Sequence, residues 1–128
     1  MATVIIIDSD ILIDAGRNVP KAVNFIEQEY ARETLAVSVV SQMEVMVGCR
    51  NKTECDMLDR FLSRFRIISL NPPIANKAIE LLRQFRLSHG LLIPDALIAA
   101  TAIVFKAALA TRNKRDYVFI AGLTVQVY

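Results

Sequence analysis

The sequence has little of the chemistry on which many enzymes depend. Its 128 residues include one histidine, two cysteines and no tryptophan. A Ser-His-Asp, Cys-His or multi-histidine metal site would have to use His89, which lies at the predicted end of a helix, where a surface histidine suits the helix dipole. Cys49 and Cys55 lack the further Cys or His pair of a zinc site, so we expect reduced thiols. We therefore assign His89 no catalytic role.

Excess charge and long apolar runs are also missing. The 15 basic and 13 acidic residues leave a net charge of +2, so any contact with nucleic acid must come from local clusters. Asp95, Lys106 and Arg112 interrupt the most apolar stretch, and no run approaches the roughly 18 to 20 apolar residues of a membrane span. The first residues do not resemble a secretory leader. We expect a cytoplasmic protein without a membrane partner.

What the chain does have is a large apolar fraction in alternating short patterns. Hydrophobic residues make up 54% of it, which excludes disorder, and its length predicts one domain over residues 1–128. Strands are predicted at 4–7, 35–38, 66–70, 107–111 and 124–127, and helices at 20–32, 41–48, 53–65, 72–87 and 94–106. This alternation is typical of the α/β class, with a central parallel sheet of about four to five strands flanked by helices.

Polar residues directly after the predicted strands are candidates for function. Ligands bind beyond the carboxyl ends of strands in open parallel sheets, which favours Asp8, Thr111 and the segment 112–116. Asp8 and Ser9 also match the start of a helix that begins near Asp10, and a capping role is compatible with a functional one.

Two helical carboxylates are further candidates. Glu44 lies about 60 degrees from the centre of a stripe formed by Val40, Met43 and Val47, which predicts partial burial. The alternative is a side chain that extends from the edge of this stripe to solvent. Asp95 begins the most apolar helix, where a favourable helix dipole is the ordinary explanation.

The surroundings of Asp95 favour a recessed site. The small residues Ala99 and Ala102 share its helix face and leave room beside the carboxylate. Asn113 and Asp116, in the loop after a predicted strand, can join it, although a charged loop is usually only solvated.

If Asp8, Glu44, Asp95 and Asp116 converge, their charges repel one another unless a cation lies between them. Ligands that are all oxygen favour Mg²⁺ or Mn²⁺ over Zn²⁺. Such an ion lowers the pKa of a bound water and neutralises charge on a phosphodiester, so no histidine base is required.

Four segments of the sequence resemble, in order and spacing, the four motifs of PIN domains. They are VIIIDSDILI at 4–13, SQMEVMVG at 41–48, PDALIAATA at 94–102 and ATRNKRDY at 110–117. The likeness spans most of the chain and is closest to VapC-type toxins of toxin-antitoxin pairs. It implies a three-layer α/β/α fold, an acidic pocket for Mg²⁺ or Mn²⁺, and hydrolysis of RNA phosphodiester bonds that leaves a 5′-phosphate.

The same resemblance implies roles for single residues. Asp8, Glu44 and Asp95 are metal ligands or position the attacking water, and Asn113, Asp116 or both complete the site. Ser9 matches a small hydroxyl residue that orients a carboxylate. The other supporting positions are Asp10, where the family commonly has Asn, and Thr111.

Partners are predicted from charge, apolar faces and the resemblance. RNA that approaches an acidic pocket needs nearby cations, for which Arg112, Lys114 and Arg115 are candidates, with a solvated loop as the alternative. Two predicted helices carry more apolar residues than a small core needs, so we expect some at an interface: Phe25, Ile26, Tyr30, Met57, Leu58, Phe61, Leu62 and Phe65. The resemblance implies a homodimer and a small VapB-type antitoxin.

Two other functions remain open at this point. Asp8-Ser9-Asp10 after a strand resembles the Asp-x-Asp pair of haloacid-dehalogenase-like phosphatases, although Ile11, Leu12 and the short chain fit that family less well. The second is a catalytically inactive PIN-fold binding module, against which the retained acidic residues argue.

Overall fold

A computed structural model describes residues 4–32 and 34–127. The strands in these ranges are β1 (Val4–Ile7), β2 (Thr34–Ser38), β3 (Arg66–Ile68), β4 (Ala108–Ala110) and β5 (Thr124–Gln126). The helices are α1 (Ser9–Gly16), α2 (Pro20–Arg32), α3 (Val39–Val47), α4 (Lys52–Leu62), α5 (Pro72–His89) and α6 (Ile93–Val104). Every predicted strand and helix is present, with ends displaced by three residues or fewer.

The five strands form one parallel sheet in the order β3-β2-β1-β4-β5. The chain runs outward from β1 through β2 to β3, and then crosses back to build β4 and β5 on the other side of β1. Strand order therefore reverses between β1 and β4. The carboxyl ends of these two strands are where open α/β sheets usually bind ligands.

Helices cover both faces of the sheet, which accounts for the unbroken β-branched run in β1. Ile6 packs in a cluster with residues of α5 and α6, such as Leu81 and Ala99. Ile5 and Ile7 point to the other face and pack with residues of α1 and α2. The predicted three-layer α/β/α architecture is confirmed.

Local sequence positions α5 and α6 against the sheet. Asn71 caps α5 by accepting a hydrogen bond from the backbone of Ile74, and α5 ends at Gly90, whose φ of 69° favours glycine. α6 has Pro94 in its first turn, and all four of its alanines are buried. Despite this apolar character, none of the helices in the described ranges has the length and hydropathy needed to cross a membrane.

The predicted buried stripe of α3, formed by Val40, Met43 and Val47, is confirmed at Val40 and wrong at the other two residues. Met43 is 55% exposed and Val47 87% exposed, whereas Ser41 and Val45 face inward. Apolar residues occur on several sides of this helix, so periodicity alone does not single out one face. Packing against α1 and α6 selects the face with the small Ser41. As a consequence Glu44 is exposed and not partly buried as predicted.

The apolar residues of α2 and α4 are divided between core and surface. Phe25, Ile26, Leu62 and Phe65 are buried, so these members of the predicted interface set belong to the core. Leu58 and Phe61 are partly buried beside them. Tyr30 and Met57 remain exposed, at 48% and 61%.

Candidate active site

Asp8 lies at the junction of β1 and α1. Its backbone N–H donates to the carbonyl oxygen of Ala110 at 2.9 Å, which continues the pairing of β1 with β4. Its side chain is 6% exposed and accepts hydrogen bonds from the Ser9 N–H at 2.8 Å and the Thr111 hydroxyl at 2.9 Å. The predicted cap of α1 is confirmed, and the same carboxylate lies at the switch point of the sheet.

Burial makes a charge on Asp8 unfavourable. It raises the pKa of this carboxyl from 3.8 to about 7, and the neighbouring Asp10 charge adds to the rise. The hydrogen bonds from Thr111 and Ser9 favour the ionised form and oppose the shift. The group is therefore poised to accept either a proton or a cation.

Asp95, in the first turn of α6, is joined to Asp8 through Tyr117. The Tyr117 hydroxyl lies 3.2 Å from Oδ1 of Asp95 and 3.3 Å from Oδ1 of Asp8. Burial raises the pKa of Asp95, and the charges of Asp116, Glu44 and Asp10 raise it further, while the Tyr117 hydrogen bond opposes them. The acidic residues predicted to converge therefore lie close enough to act on one another.

Glu44 of α3 is exposed, yet its side chain contacts the residues around Asp8. The Ser9 hydroxyl donates to Oε1 of Glu44 at 2.6 Å. The resemblance implies that Ser9 orients a carboxylate, and Glu44 is the carboxylate that its hydroxyl contacts. The Ser9 N–H donates a hydrogen bond to Asp8, so Ser9 contacts two of the candidate site residues.

Asp10 holds the loop after β4. Its Oδ2 accepts hydrogen bonds from the N–H groups of Arg112 at 3.0 Å and Asn113 at 3.1 Å, and from the Thr111 hydroxyl at 3.2 Å. Asp116 ends a short helical turn (Lys114–Asp116) in this loop and is exposed. Asp10 thus fixes the loop that carries Asn113 and Asp116.

The three basic candidates have different surroundings. Arg112 forms an ion pair with Asp14 at 2.6 Å and keeps 54% of its side chain exposed. Lys114 and Arg115 are exposed, and neither forms an ion pair within the described residues. Lys114 and Arg115 are therefore the cations in this loop that are free to meet an anionic ligand.

Two polar residues of the site were not predicted from the sequence. Asp14 lies four residues after Asp10 and so shares its face of α1. This spacing predicts that the two side chains are neighbours. Tyr117 directly follows Asp116 and has no such periodic relation to its partners. Only the packing of the loop against α6 brings its hydroxyl to Asp8 and Asp95.

The carboxylates do not form a compact ligand cluster. Within the described residues, no three His, Cys, Asp or Glu side chains are grouped closely enough to hold a metal ion together. Asp8 and Asp95 share the Tyr117 hydroxyl as a hydrogen-bond partner, and the charges of Asp116 and Glu44 act on Asp95.

Comparison with protein families gives one match over most of the chain. The model of the PIN domain matches residues 5–120. Ribonuclease VapC10 of Mycobacterium tuberculosis is 37% identical over 110 residues, which cover 85% of this chain and 82% of that protein. Ribonuclease VapC19 of the same species is 34% identical over 114 residues, or 88% of this chain and 90% of that protein.

Solved structures have the same architecture. A chain in the structure of VapBC2 from Rickettsia felis, bound to a DNA fragment from their promoter, matches with a TM-score of 0.85 and 28% identity, covering 98% of this chain and 99% of that one. A chain of a toxin-antitoxin complex from Klebsiella pneumoniae matches with a TM-score of 0.77 and 33% identity, over 93% and 94%. The resemblance to PIN domains and VapC proteins is confirmed. The chain belongs to the PIN-domain family.

Proposed function

We propose that the chain is a metal-dependent endoribonuclease and the toxin of a toxin-antitoxin pair. Its similarity to VapC ribonucleases supports hydrolysis of RNA. The observation that carries the proposal is the pairing of Asp8 with Asp95 through one hydroxyl, at the switch point of the sheet. This is an acidic site where open α/β sheets bind their ligands.

The residues of the site fit a hard divalent cation. All the candidate ligands are oxygen atoms, which suits Mg²⁺ or Mn²⁺. Burial raises the pKa of the Asp8 carboxyl, so a cation beside it would stabilise its charged form. Arg112, a cation of the neighbouring loop, forms its ion pair with Asp14. Mg²⁺ usually keeps several waters and uses only one or two carboxylates, so a compact cluster of three is not required.

In this proposal, the four carboxylates form two pairs with different tasks. Asp8 and Asp95 hold the cation, and Glu44 and Asp116 position water at the edge of the site. A bound divalent cation supplies positive charge to the phosphate oxygens and lowers the pKa of a coordinated water. The chain needs no histidine base, in agreement with the contacts of His89, which stacks on Phe119 at the end of α5.

Binding of RNA falls to the loop after β4. Its exposed Lys114 and Arg115 directly precede Asp116 and can bind phosphates beside the acidic site. Arg112 contributes less, because its guanidinium is engaged with Asp14. Asp10 keeps this loop in place through two backbone N–H groups, so the basic residues are held next to the carboxylates.

The contacts of Asp10 argue against a phosphatase of the haloacid-dehalogenase type. In such a pair the second aspartate must give and receive a proton during the reaction. Oδ2 of Asp10 instead accepts three hydrogen bonds from the β4 loop, and Oδ1 accepts one from Ile11. The inactive binding module is separated from the enzyme by the cleavage assay below.

We further propose a homodimer and a VapB-type antitoxin as partners. Structures similar to this chain come from VapBC and toxin-antitoxin complexes. Exposed apolar side chains include Tyr30 of α2, Met57 of α4, and Leu87, Leu92 and Ile93 around the junction of α5 and α6. These surfaces provide the apolar area that such contacts need.

The function is tested by incubating the purified chain with RNA. We expect cleavage with Mg²⁺ or Mn²⁺, loss of cleavage in EDTA, and recovery when either ion is restored in excess. Mapping the new ends should give 5′-phosphates. Cleavage that continues undiminished in EDTA would contradict the metal dependence, and absence of cleavage with either ion would favour the binding module.

Glu44→Gln tests whether the charge of Glu44 contributes to RNA cleavage without contributing to stability. Because Glu44 is exposed and glutamine keeps an oxygen for the Ser9 hydroxyl, the free energy of unfolding should change by less than about 0.5 kcal/mol. RNA cleavage should fall roughly 10- to 100-fold, as for other groups that support a metal site. Urea unfolding and initial rates measure the two effects. Cleavage at the original rate would show that Glu44 is an ordinary surface residue.

A further inference from the structure

Tyr117 is a core residue with a polar tip in the acidic site. Its side chain is 1% exposed and packs in the cluster formed with α5 and α6. A buried tyrosine hydroxyl needs a hydrogen-bond partner. The acceptors available to Tyr117 are Oδ1 of Asp8 and Oδ1 of Asp95, at 3.3 and 3.2 Å. One hydroxyl hydrogen therefore lies between two carboxylates, one at the start of α1 and the other in the first turn of α6.

The hydrogen bonds around this pair distinguish one oxygen of each carboxylate from the other. Oδ1 of Asp8 accepts from the Ser9 N–H and faces the Tyr117 hydroxyl, while Oδ2 has the Thr111 hydroxyl as its one donor among the residues that the structure describes. Oδ1 of Asp95 faces Tyr117, and its Oδ2 accepts no hydrogen bond from the described residues. Since each carboxylate oxygen has about two lone-pair sites, the free acceptor capacity is concentrated on the two Oδ2 atoms.

We propose that Tyr117 is a positioning residue of the cation site: its hydroxyl holds Oδ1 of both Asp8 and Asp95, and so leaves Oδ2 of each available to a divalent cation. The inference rests on the proposed metal-dependent function. Tyr117 acts through the two carboxylates and does not itself contact the ion. The backbone N–H of Tyr117 donates to the carbonyl of Lys114, so the same residue anchors the basic loop to this pair.

A purely structural role makes a different prediction. If the ring only fills the core and the hydroxyl is merely accommodated, its removal affects stability and leaves the affinity for a cation unchanged. If the hydroxyl positions the carboxylates, its removal lowers that affinity even when the fold is intact. The affinity for Mn²⁺ therefore separates the two roles.

Tyr117→Phe provides the test because it keeps the ring and removes the hydroxyl. Tyr30→Phe is the matched control, since Tyr30 is 48% exposed and its ring lies under Arg64 on the surface. Binding of Mn²⁺ to the full chain without RNA is measured by calorimetric titration. Tyr117→Phe should bind Mn²⁺ about tenfold more weakly, at the lower end of the range for residues that support metal ligands, and Tyr30→Phe should bind it as the original chain does.

Cleavage kinetics and unfolding complete the experiment. For Tyr117→Phe, added Mn²⁺ should restore kcat while the KM for RNA stays unchanged. Unaltered Mn²⁺ affinity in a folded Tyr117→Phe variant overturns the role of Tyr117 and leaves the nuclease function standing, provided that the original chain binds Mn²⁺ and cleaves RNA. If the original chain binds no Mn²⁺, both the proposed function and this inference fail.

A second measurement covers the case in which Tyr117→Phe does not fold. With Tyr30→Phe and Tyr128→Phe combined, Tyr117 is the one tyrosine left in the sequence, and its near-ultraviolet absorbance reports on its hydroxyl. We expect this band to shift as Mn²⁺ binds, because the acceptors of the hydroxyl are the ligands. Saturation with Mn²⁺ without any change in the band would overturn the inference.

Discussion

Asp8→Asn is expected to lower the rate of RNA cleavage by roughly three orders of magnitude, because several kcal/mol of charge stabilisation leave with the cation. Asp95→Asn should have a similar effect. The fold should survive in both, since asparagine caps a helix about as well as aspartate and Asp95 is only partly buried. Initial rates at a fixed Mn²⁺ concentration that saturates the original chain, together with unfolding curves, give the two quantities.

The double variant tests whether the two carboxylates act as one unit. If Asp8 and Asp95 hold the same ion, removing both charges should be little worse than removing either. Asp56→Asn is a suitable control, because Asp56 is an exposed residue of α4 paired with Lys52. Normal cleavage by Asp8→Asn would reduce Asp8 to a helix cap, and multiplied losses in the double variant would assign the two residues to separate tasks.

The order of elements was predictable because the local patterns agree with the fold. The run at β1 is apolar on both faces, and Pro72 and Gly90 mark the ends of α5. The buried face of α3 was harder to predict. Met43, Met46 and Val47 make several faces of this helix apolar, and tertiary packing decides which face is buried. The prediction that Glu44 is partly buried was wrong for this reason.

Asp8 and Asp95 were predictable as candidates because Asp8 directly follows β1 and Asp95 lies in the first turn of α6, whereas Glu44 lies inside α3 and Asp116 in the β4 loop. The hydrogen bonds of the site were not predictable, because these depend on how the β4 loop packs. The sequence indicates a charge at Asp10, yet only the structure shows that this carboxylate binds the N–H groups of Arg112 and Asn113. Tyr117 was missed because nothing in its spacing relates it to Asp8 and Asp95.

The placement of Asp8 has a consequence for stability. A carboxylate buried beside Asp10 and Asp95 is unfavourable in the folded protein without a cation, and its hydrogen bonds from Thr111 and Ser9 offset only part of that cost. The same arrangement favours binding of a cation, since binding relieves the repulsion. Stability without metal and affinity for metal are therefore opposed at this residue.

Without metal, the protein should become less stable as the pH rises from about 4 to about 8. Below pH 3.8, Asp8 is protonated in the folded and unfolded states alike. Above it, the unfolded chain loses the proton first, while the folded chain keeps it up to a pKa of about 7. The free energy of unfolding falls through this interval and then levels off, by about 4 kcal/mol at about 1.4 kcal/mol per pH unit.

Urea unfolding of the metal-free chain and of Asp8→Asn across this range isolates the effect of the Asp8 carboxyl and its interaction with Asp10 and Asp95, because titrating groups that do not interact with Asp8 cancel in the difference. The original chain should lose stability relative to Asp8→Asn as the pH rises, whereas Asp56→Asn should follow the original chain. Mn²⁺ at pH 8 should stabilise the original chain by mass action and Asp8→Asn far less. Parallel curves for the original chain and Asp8→Asn would mean that the charge of Asp8 costs the fold nothing. In that case repulsion at Asp8 would not be what draws a cation to this site.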